Sequence, residues 1–225
     1  MIIVGHRGAS GLAPENTIKA LELGRDLADG VEFDVRVTKD KVPILNHDAG
    51  IFDKDSRRWL IKDYSYSQLK KLRPSLATLE EALSLKYGKT RVFIEIKALE
   101  PTEPIIQVIR PYFKKRRLQI AIGSFDFEVL KKVRTQLPEV QLFINERWSS
   151  LRANWRARQL NTNQINIEHR FLWFGLVSML SRRGIVLYTY TLNDPRKARN
   201  WQKHGLAGVF TDFPNLFTRK VSRLR

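Results

Sequence analysis

The sequence predicts an α/β fold, a closed TIM (β/α)8 barrel that takes in residues 1–225 as one domain. Three observations predict it. Nine short apolar runs of extended pattern recur along the chain, most of them separated by amphipathic stretches of helical period. One junction between two runs is too short for a parallel crossover, so eight parallel strands remain. No G-x-G-x-x-G turn follows the first run and no G-K-S/T loop occurs, which argues against nucleotide-binding open sheets. Eight β/α units in a chain of this length suit a barrel.

The runs fall at 2–5, 31–37, 42–46, 91–97, 119–124, 140–145, 164–168, 185–191 and 208–211. Only the short stretch around Lys39-Asp40-Lys41 joins 31–37 to 42–46, so these two form an antiparallel hairpin with 42–46 as its returning arm. Helices are expected at LATLEEALSLK (76–86) and FEVLKKVRTQL (127–137). Residues 48–75 form a long, weakly periodic segment, read as a small insertion after the second strand that passes over the active face. Its SYSQLKKL portion suits a short helix.

Composition narrows the classes of function. The net charge of +17, from 40 basic and 23 acidic residues, favours an anionic partner: nucleic acid, a phospholipid surface or a phosphorylated substrate. With no cysteine, disulfides and thiolate metal sites are excluded. The longest apolar stretch of the C-terminal half, FLWFGLVSML (171–180), is too short to cross a bilayer. MIIVGHRG lacks the basic start and cleavage site of a signal peptide, so the expected location is cytoplasmic or peripheral at a membrane.

The chemistry gathers at the C-terminal strand ends, where barrels of this kind carry their sites. In VEFDV (31–35), Val31, Phe33 and Val35 point one way while Glu32 and Asp34 point the other. Glu95 comes from the adjacent strand, in VFIEIK. Each acid alone reads as a surface or salt-bridged group. Three together repel unless protonated or neutralised, and a hard divalent cation, Mg²⁺ or Ca²⁺, neutralises them well. With Arg7 and Lys97 the set is net −1; one dication makes it +1, suited to a singly charged phosphodiester. His6 and His47 lie at strand ends flanking the three acids and have the pKa for moving protons near neutral pH. His204, at a helix end, reads as structural, and His169 follows the sixth strand without an assigned part. Glu15 and Asn16, in A-P-E-N-T (13–17), read equally as a helix start and as polar groups facing the site.

These residues lie in motifs that resemble the glycerophosphodiester phosphodiesterase family. HRG (6–8), ENT (15–17), E-x-D (32–34), H-D (47–48) and E-I-K (95–97) carry the likeness, and GSFD (123–126), YTLND (190–194) and GVFTDFP (208–214) extend it over essentially the whole chain. The resemblance implies a barrel with a small insertion after its second strand. It also implies hydrolysis of glycerophosphodiesters to an alcohol and glycerol 3-phosphate with a divalent cation. By position it makes His6 and His47 the acid/base pair, Glu32, Asp34 and Glu95 the metal ligands, and Arg7 and Lys97 phosphate contacts. Tyr190 stands where the family usually has Trp, keeping an aromatic wall of different area and polarity. Some relatives act on lysophospholipids or sphingomyelin in a phospholipase D manner, so the headgroup stays open. So does the nucleophile, a glycerol hydroxyl or a water.

A rival reading is a basic module for nucleic acid, built on 114–117, on Arg152, Arg156 and Arg158, and on the tail 219–225. Most of these residues fall outside the barrel mouth, so nucleic acid is not the expected partner. A third reading holds the enzyme at an anionic membrane, with Trp148, Trp155 and Trp173 as docking side chains.

Overall fold

The computed structural model describes residues 1–115 and 118–217. Arg116, Arg117 and the tail 219–225 lie outside the described residues, as do the side chains of Lys114 and Lys115.

Eight parallel strands close a barrel: β1 (Ile2–Gly5), β2 (Gly30–Val37), β6 (Arg91–Ile96), β7 (Ile120–Ser124), β8 (Gln141–Glu146), β9 (Gln164–Glu168), β10 (Val186–Tyr190) and β11 (Gly208–Thr211). Closure comes from β1, which pairs with β11 on one side and with β2 on the other. The returning arm is β3 (Pro43–Leu45), antiparallel to the end of β2. Helices α1 (Ile18–Leu27), α4 (Thr102–Lys115), α5 (Phe127–Gln136), α6 (Ser150–Gln159), α7 (Phe174–Arg182) and α8 (Pro195–Gln202) ring the barrel.

The insertion is more ordered than its weak periodicity suggests. It holds a hairpin of β4 (Gly50–Phe52) and β5 (Arg58–Leu60), a 3₁₀ turn at Ile61–Asp63 and α2 (Tyr66–Leu72), whose start is fixed by a Ser65–Gln68 capping box. Ile51, Ile61 and Leu69 pack on Ile44 and Leu76, which gives the insertion its own small core. The helix expected over 76–86 is cut to α3 (Leu79–Leu83). Its first residues are held by the sheet instead: Leu45 N–H donates to Ala77 C=O at 2.8 Å, and Thr78 bridges Ile44. Thr78 then caps the shortened helix.

The two-residue period of the strands stacks the barrel interior in layers. Phe93, Phe143, Tyr188 and Phe210 form the lower layer with Val4 and Ala121. Phe93 meets Phe210, Phe143 and Tyr188 edge-on, at 5.4, 5.7 and 5.8 Å between ring centres. Two residues further along the same strands stand Glu95, Asn145, Tyr190 and Asp212, and His6 stands two beyond Val4. The aromatic layer is thus the floor of whatever the mouth contains.

Gly123 makes room for that floor. A Cβ there would lie 2.1 Å from the Phe143 ring. Gly123→Ala should therefore overpack the barrel and cost about 1–3 kcal/mol, a fall in Tm of several degrees in a thermal melt. An unchanged Tm would mean the ring layer can slide.

Candidate active site

The β1–α1 loop builds one wall by bending sharply. Arg7 takes a left-handed backbone at φ 51°, and Gly8 follows at φ 90° against α1, where a Cβ would lie 2.4 Å from the Ala20 backbone. The bend points Arg7 N–H at Glu32 Oε2, at 2.8 Å. Asn16, also left-handed at φ 57°, clasps Asp34 twice: its Nδ2 donates to Oδ2 at 2.9 Å, and its Oδ1 accepts the Asp34 N–H at 3.0 Å. Unusual backbone collects here because these contacts over-determine it.

Glu32, Asp34 and Glu95 come together as the strand alternation requires. All three are buried, and a carboxylate oxygen from each lies within 4.8 Å of the others. Burial pushes the Glu32 carboxyl up to about 8, helped by the charge of Asp34. Glu95 is raised mainly by burial as well. Burial pushes on Asp34 too, but Lys97 and Arg7 outweigh it and bring its pKa down to about 2. Lys97 Nζ reaches Asp34 Oδ1 at 2.6 Å and also pairs with Glu95. Arg7 spans Glu15, at 2.7 Å from Nη1, and Asp34, at 3.5 Å from Nε. That buried Nε has no hydrogen-bond acceptor, leaving a donor for a ligand oxygen. Three crowded carboxylates, one of them unable to ionise cheaply, fit a hard divalent cation in charge and in donor type.

Each histidine is oriented by a carboxylate. His6 Nδ1 lies 2.7 Å from Asp212 Oδ1, and Asp212 is itself held by Ser10 and Asn193 at 2.8 Å each. His47 Nδ1 lies 2.8 Å from Asp48 Oδ1. Both arrangements commit Nδ1 and leave Nε2 for proton transfer. Their pKa values part. Burial pulls His6 down, but the hydrogen bond to Asp212 and the charge of Glu32 lift it above the ordinary value. Burial and the Lys97 charge leave His47 below it.

Two lobes open from this centre. An axial lobe of about 570 Å³ lies over the barrel, lined by His6, Arg7, Asp34, Glu168, Tyr190 and Thr191 among others. A lateral lobe of about 670 Å³ lies between the insertion and α6. They share His47, Glu95, Lys97, Phe125 and Arg147. The eight residues singled out by the sequence, His6, Arg7, Glu32, Asp34, His47, Glu95, Lys97 and Tyr190, are thus brought to one mouth. Tyr190 presents its ring there, edge-on to Phe125 at 5.8 Å, while its hydroxyl donates to Glu146 C=O at 3.0 Å. His169 also lines the axial lobe, whereas His204 stacks on Phe174 at 4.7 Å.

A model of the glycerophosphoryl diester phosphodiesterase family matches residues 6–216. The chain belongs to this family. The glycerophosphodiester phosphodiesterase of Bacillus subtilis (strain 168) is 28% identical over 251 residues, covering 96% of this chain and 85% of that protein. The enzyme of the same name from Caldanaerobacter subterraneus is 26% identical, covering 99% of this chain and 98% of that protein. A phosphodiesterase of Oleispira antarctica, solved in complex with its product sn-glycerol-3-phosphate, superposes with a TM-score of 0.88 at 26% identity, covering 96% of this chain and 95% of the other.

Within this family member, several residues at the site carry no role in the motif reading. Asp212 and Asn193 lie inside GVFTDFP and YTLND, so the motifs contained them without saying which atoms they hold. Asn145 donates to Glu95 Oε2 at 2.7 Å and accepts from Asn166 at 3.0 Å. Only the inward period of β8, Phe143 then Asn145, could have found it. Arg152 and Arg156 are not a free basic face: Arg152 grips buried Glu146 with two nitrogens, at 2.7 and 2.6 Å, and Arg156 donates to Phe125 C=O at 3.2 Å. No helix among the described residues is long and apolar enough to cross a membrane.

Proposed function

We propose that this phosphodiesterase hydrolyses glycerophosphodiesters to an alcohol and glycerol 3-phosphate at the barrel mouth, with a divalent cation on Glu32, Asp34 and Glu95. The observation that carries the reading is the buried carboxylate trio beside two histidines that are each oriented through Nδ1. The Oleispira antarctica likeness, with its bound product, supports the glycerol 3-phosphate half.

The ion, when bound, polarises a phosphoryl oxygen and offsets the charge of the diester. Arg7 and Lys97 hold phosphoryl oxygens. One histidine takes the proton of the attacking hydroxyl, from glycerol or water. The other gives a proton to the alcohol oxygen as its bond to phosphorus breaks. His6 is raised and His47 lowered, so their environments push the two rings apart in the direction that an acid and a base need. Residues 48–75 supply part of the outer wall through Ala49 and Arg58, in keeping with a cover over the active face.

Hydrolysis of glycerophosphoglycerol should stop on exhaustive chelation and return with Mg²⁺ or Ca²⁺. Full activity after chelation would remove the reading. The ion should also reveal itself in stability. Glu32 holds its proton in the folded protein up to about pH 8 and in the unfolded chain only to about 4.5. Glu32 thus makes the ion-free fold lose stability as pH rises through that window. An ion that needs Glu32 ionised must displace this proton, so the Mg²⁺ concentration that raises Tm should fall about tenfold per pH unit between pH 6 and 8. The same Mg²⁺ dependence at both pH values would count against Glu32 as a ligand.

A second reading places the enzyme on an anionic membrane, acting on lysophospholipids in a phospholipase D manner. Exposed apolar side chains on α6 and on the loops beside the lateral lobe favour it: Leu99 is 93% exposed, Leu151 76% and Trp148 59%. Release of headgroup from lysophospholipid in anionic vesicles, exceeding that from neutral ones, would support this; no release from either would end it.

A further inference from the structure

The lateral lobe holds more positive charge than the reaction at the phosphorus uses. Five arginines line it: Arg36, Arg58, Arg147, Arg152 and Arg156. Two are neutralised in place. Arg36 pairs with Glu100 at 2.9 Å, and Arg152 occupies both oxygens of Glu146. The other three have no carboxylate of their own. Arg58, on β5, makes no ion pair among the described residues. Arg147 lies 3.6 Å from Glu168, whose carboxylate Arg170 already holds. Arg156 lies 3.9 Å from Glu146, which Arg152 has taken. The remaining acid of the lobe outside the metal cluster, Asp48, sits on His47 Nδ1.

These three guanidinium groups come from opposite sides. Arg58 projects from the insertion hairpin, while Arg147 and Arg156 come from the end of β8 and from α6. Phe125 and Trp148 line the same lobe. The lobe joins the reaction centre at His47, Glu95 and Lys97, so one substrate molecule can reach both. Arginines that lack a counter-ion or only share one suit a phosphate or carboxylate, and they repel an ammonium.

We propose that the lateral lobe is a second anion subsite, and that this enzyme prefers glycerophosphodiesters whose alcohol half carries its own negative group over those whose alcohol is neutral or cationic. The inference rests on the phosphodiesterase reading above and adds the substrate class. Glycerol supplies no charge of its own, so the second anion must belong to the alcohol half.

Three diesters test it: glycerophosphoinositol 4-phosphate, glycerophosphoglycerol and glycerophosphocholine, at fixed Mg²⁺ and low salt. The expected kcat/KM falls in that order, with at least about tenfold between the first and the last, and added salt narrows the gap. In Arg58→Gln/Arg147→Gln the gap should shrink to about threefold, through a higher KM for the anionic diester. A thermal melt checks that this doubly substituted hairpin and loop stay folded. Equal kcat/KM for the three diesters, or a preference that survives both substitutions, overturns the subsite. A separate arm needs no turnover. In His47→Ala, glycerophosphoinositol 4-phosphate should still bind in calorimetry, and the two Arg substitutions should weaken it about tenfold. If no diester is hydrolysed under any divalent ion, the phosphodiesterase reading fails, and this binding arm still decides the subsite. Binding that ignores the arginines overturns it.

Discussion

Asp34→Asn should abolish cation-dependent turnover, by at least about 10³-fold, and leave a folded barrel. Asp34 is where the site's interactions converge: Lys97 at 2.6 Å, Arg7 at 3.5 Å and the double clasp of Asn16. An amide keeps the shape and loses the charge. Lys97 still has Glu95, and Arg7 still has Glu15, so neither cation is stranded. The cost to stability should stay near 1–3 kcal/mol, roughly that of an imperfect buried hydrogen bond. Circular dichroism and a melt read the fold, and diester hydrolysis across a Mg²⁺ titration reads the function. Turnover within tenfold of the parent at saturating Mg²⁺ would take Asp34 out of the metal site.

His6→Ala and His47→Ala should each lower kcat about 10²- to 10⁴-fold, the usual range for loss of a general acid or base. What separates them is the leaving group. A glycerophosphodiester of p-nitrophenol expels a stable phenolate and needs no proton donor. Activity on it should recover in one of the two variants and stay low in the other, which identifies the acid. The parent should have a bell-shaped pH profile, with each substitution removing one limb. Recovery in both variants, or in neither, would mean that the histidines do not divide the proton transfers between them.

The barrel is legible in the sequence because its evidence is local. Each strand shows its apolar run, and the brevity of the Lys39–Lys41 junction alone forces β3 to turn back on β2. VEFDV is legible for the same reason: alternation sends Glu32 and Asp34 to one face whatever the rest of the chain does. The helical period over 76–86 overruns the true helix because β3 captures Leu76 and Ala77, a contact that local periodicity does not carry. The hairpin β4–β5 is hard to read because its strands are three residues each, too short to show a period, and it is held by packing on Ile44 and Leu69 outside it.

The site divides in the same way. Histidine and paired acids announce chemistry by type. Asn145 does not, since a lone strand asparagine looks the same on a surface, and its meaning comes from Glu95, 50 residues earlier. Lys97 reads by type as a phosphate contact; that it also lies between Asp34 and Glu95 is visible only in the fold. Pairings of this kind depend on which strands the closed barrel brings together, neighbours or not, as Asn145 on β8 reaches Glu95 on β6 across β7.

The rings of Phe93, Phe143, Tyr188 and Phe210 give the barrel a further property. They stopper it directly beneath the carboxylates, so traffic through the axis is blocked. Diester must arrive, and both products must depart, on the side of the mouth where the two lobes open. Whichever product lingers there bars the next molecule. On the proposed reaction, glycerol 3-phosphate, with its dianionic phosphate, would be the product held harder by Arg7 and Lys97, and turnover at high substrate should be paced by its escape.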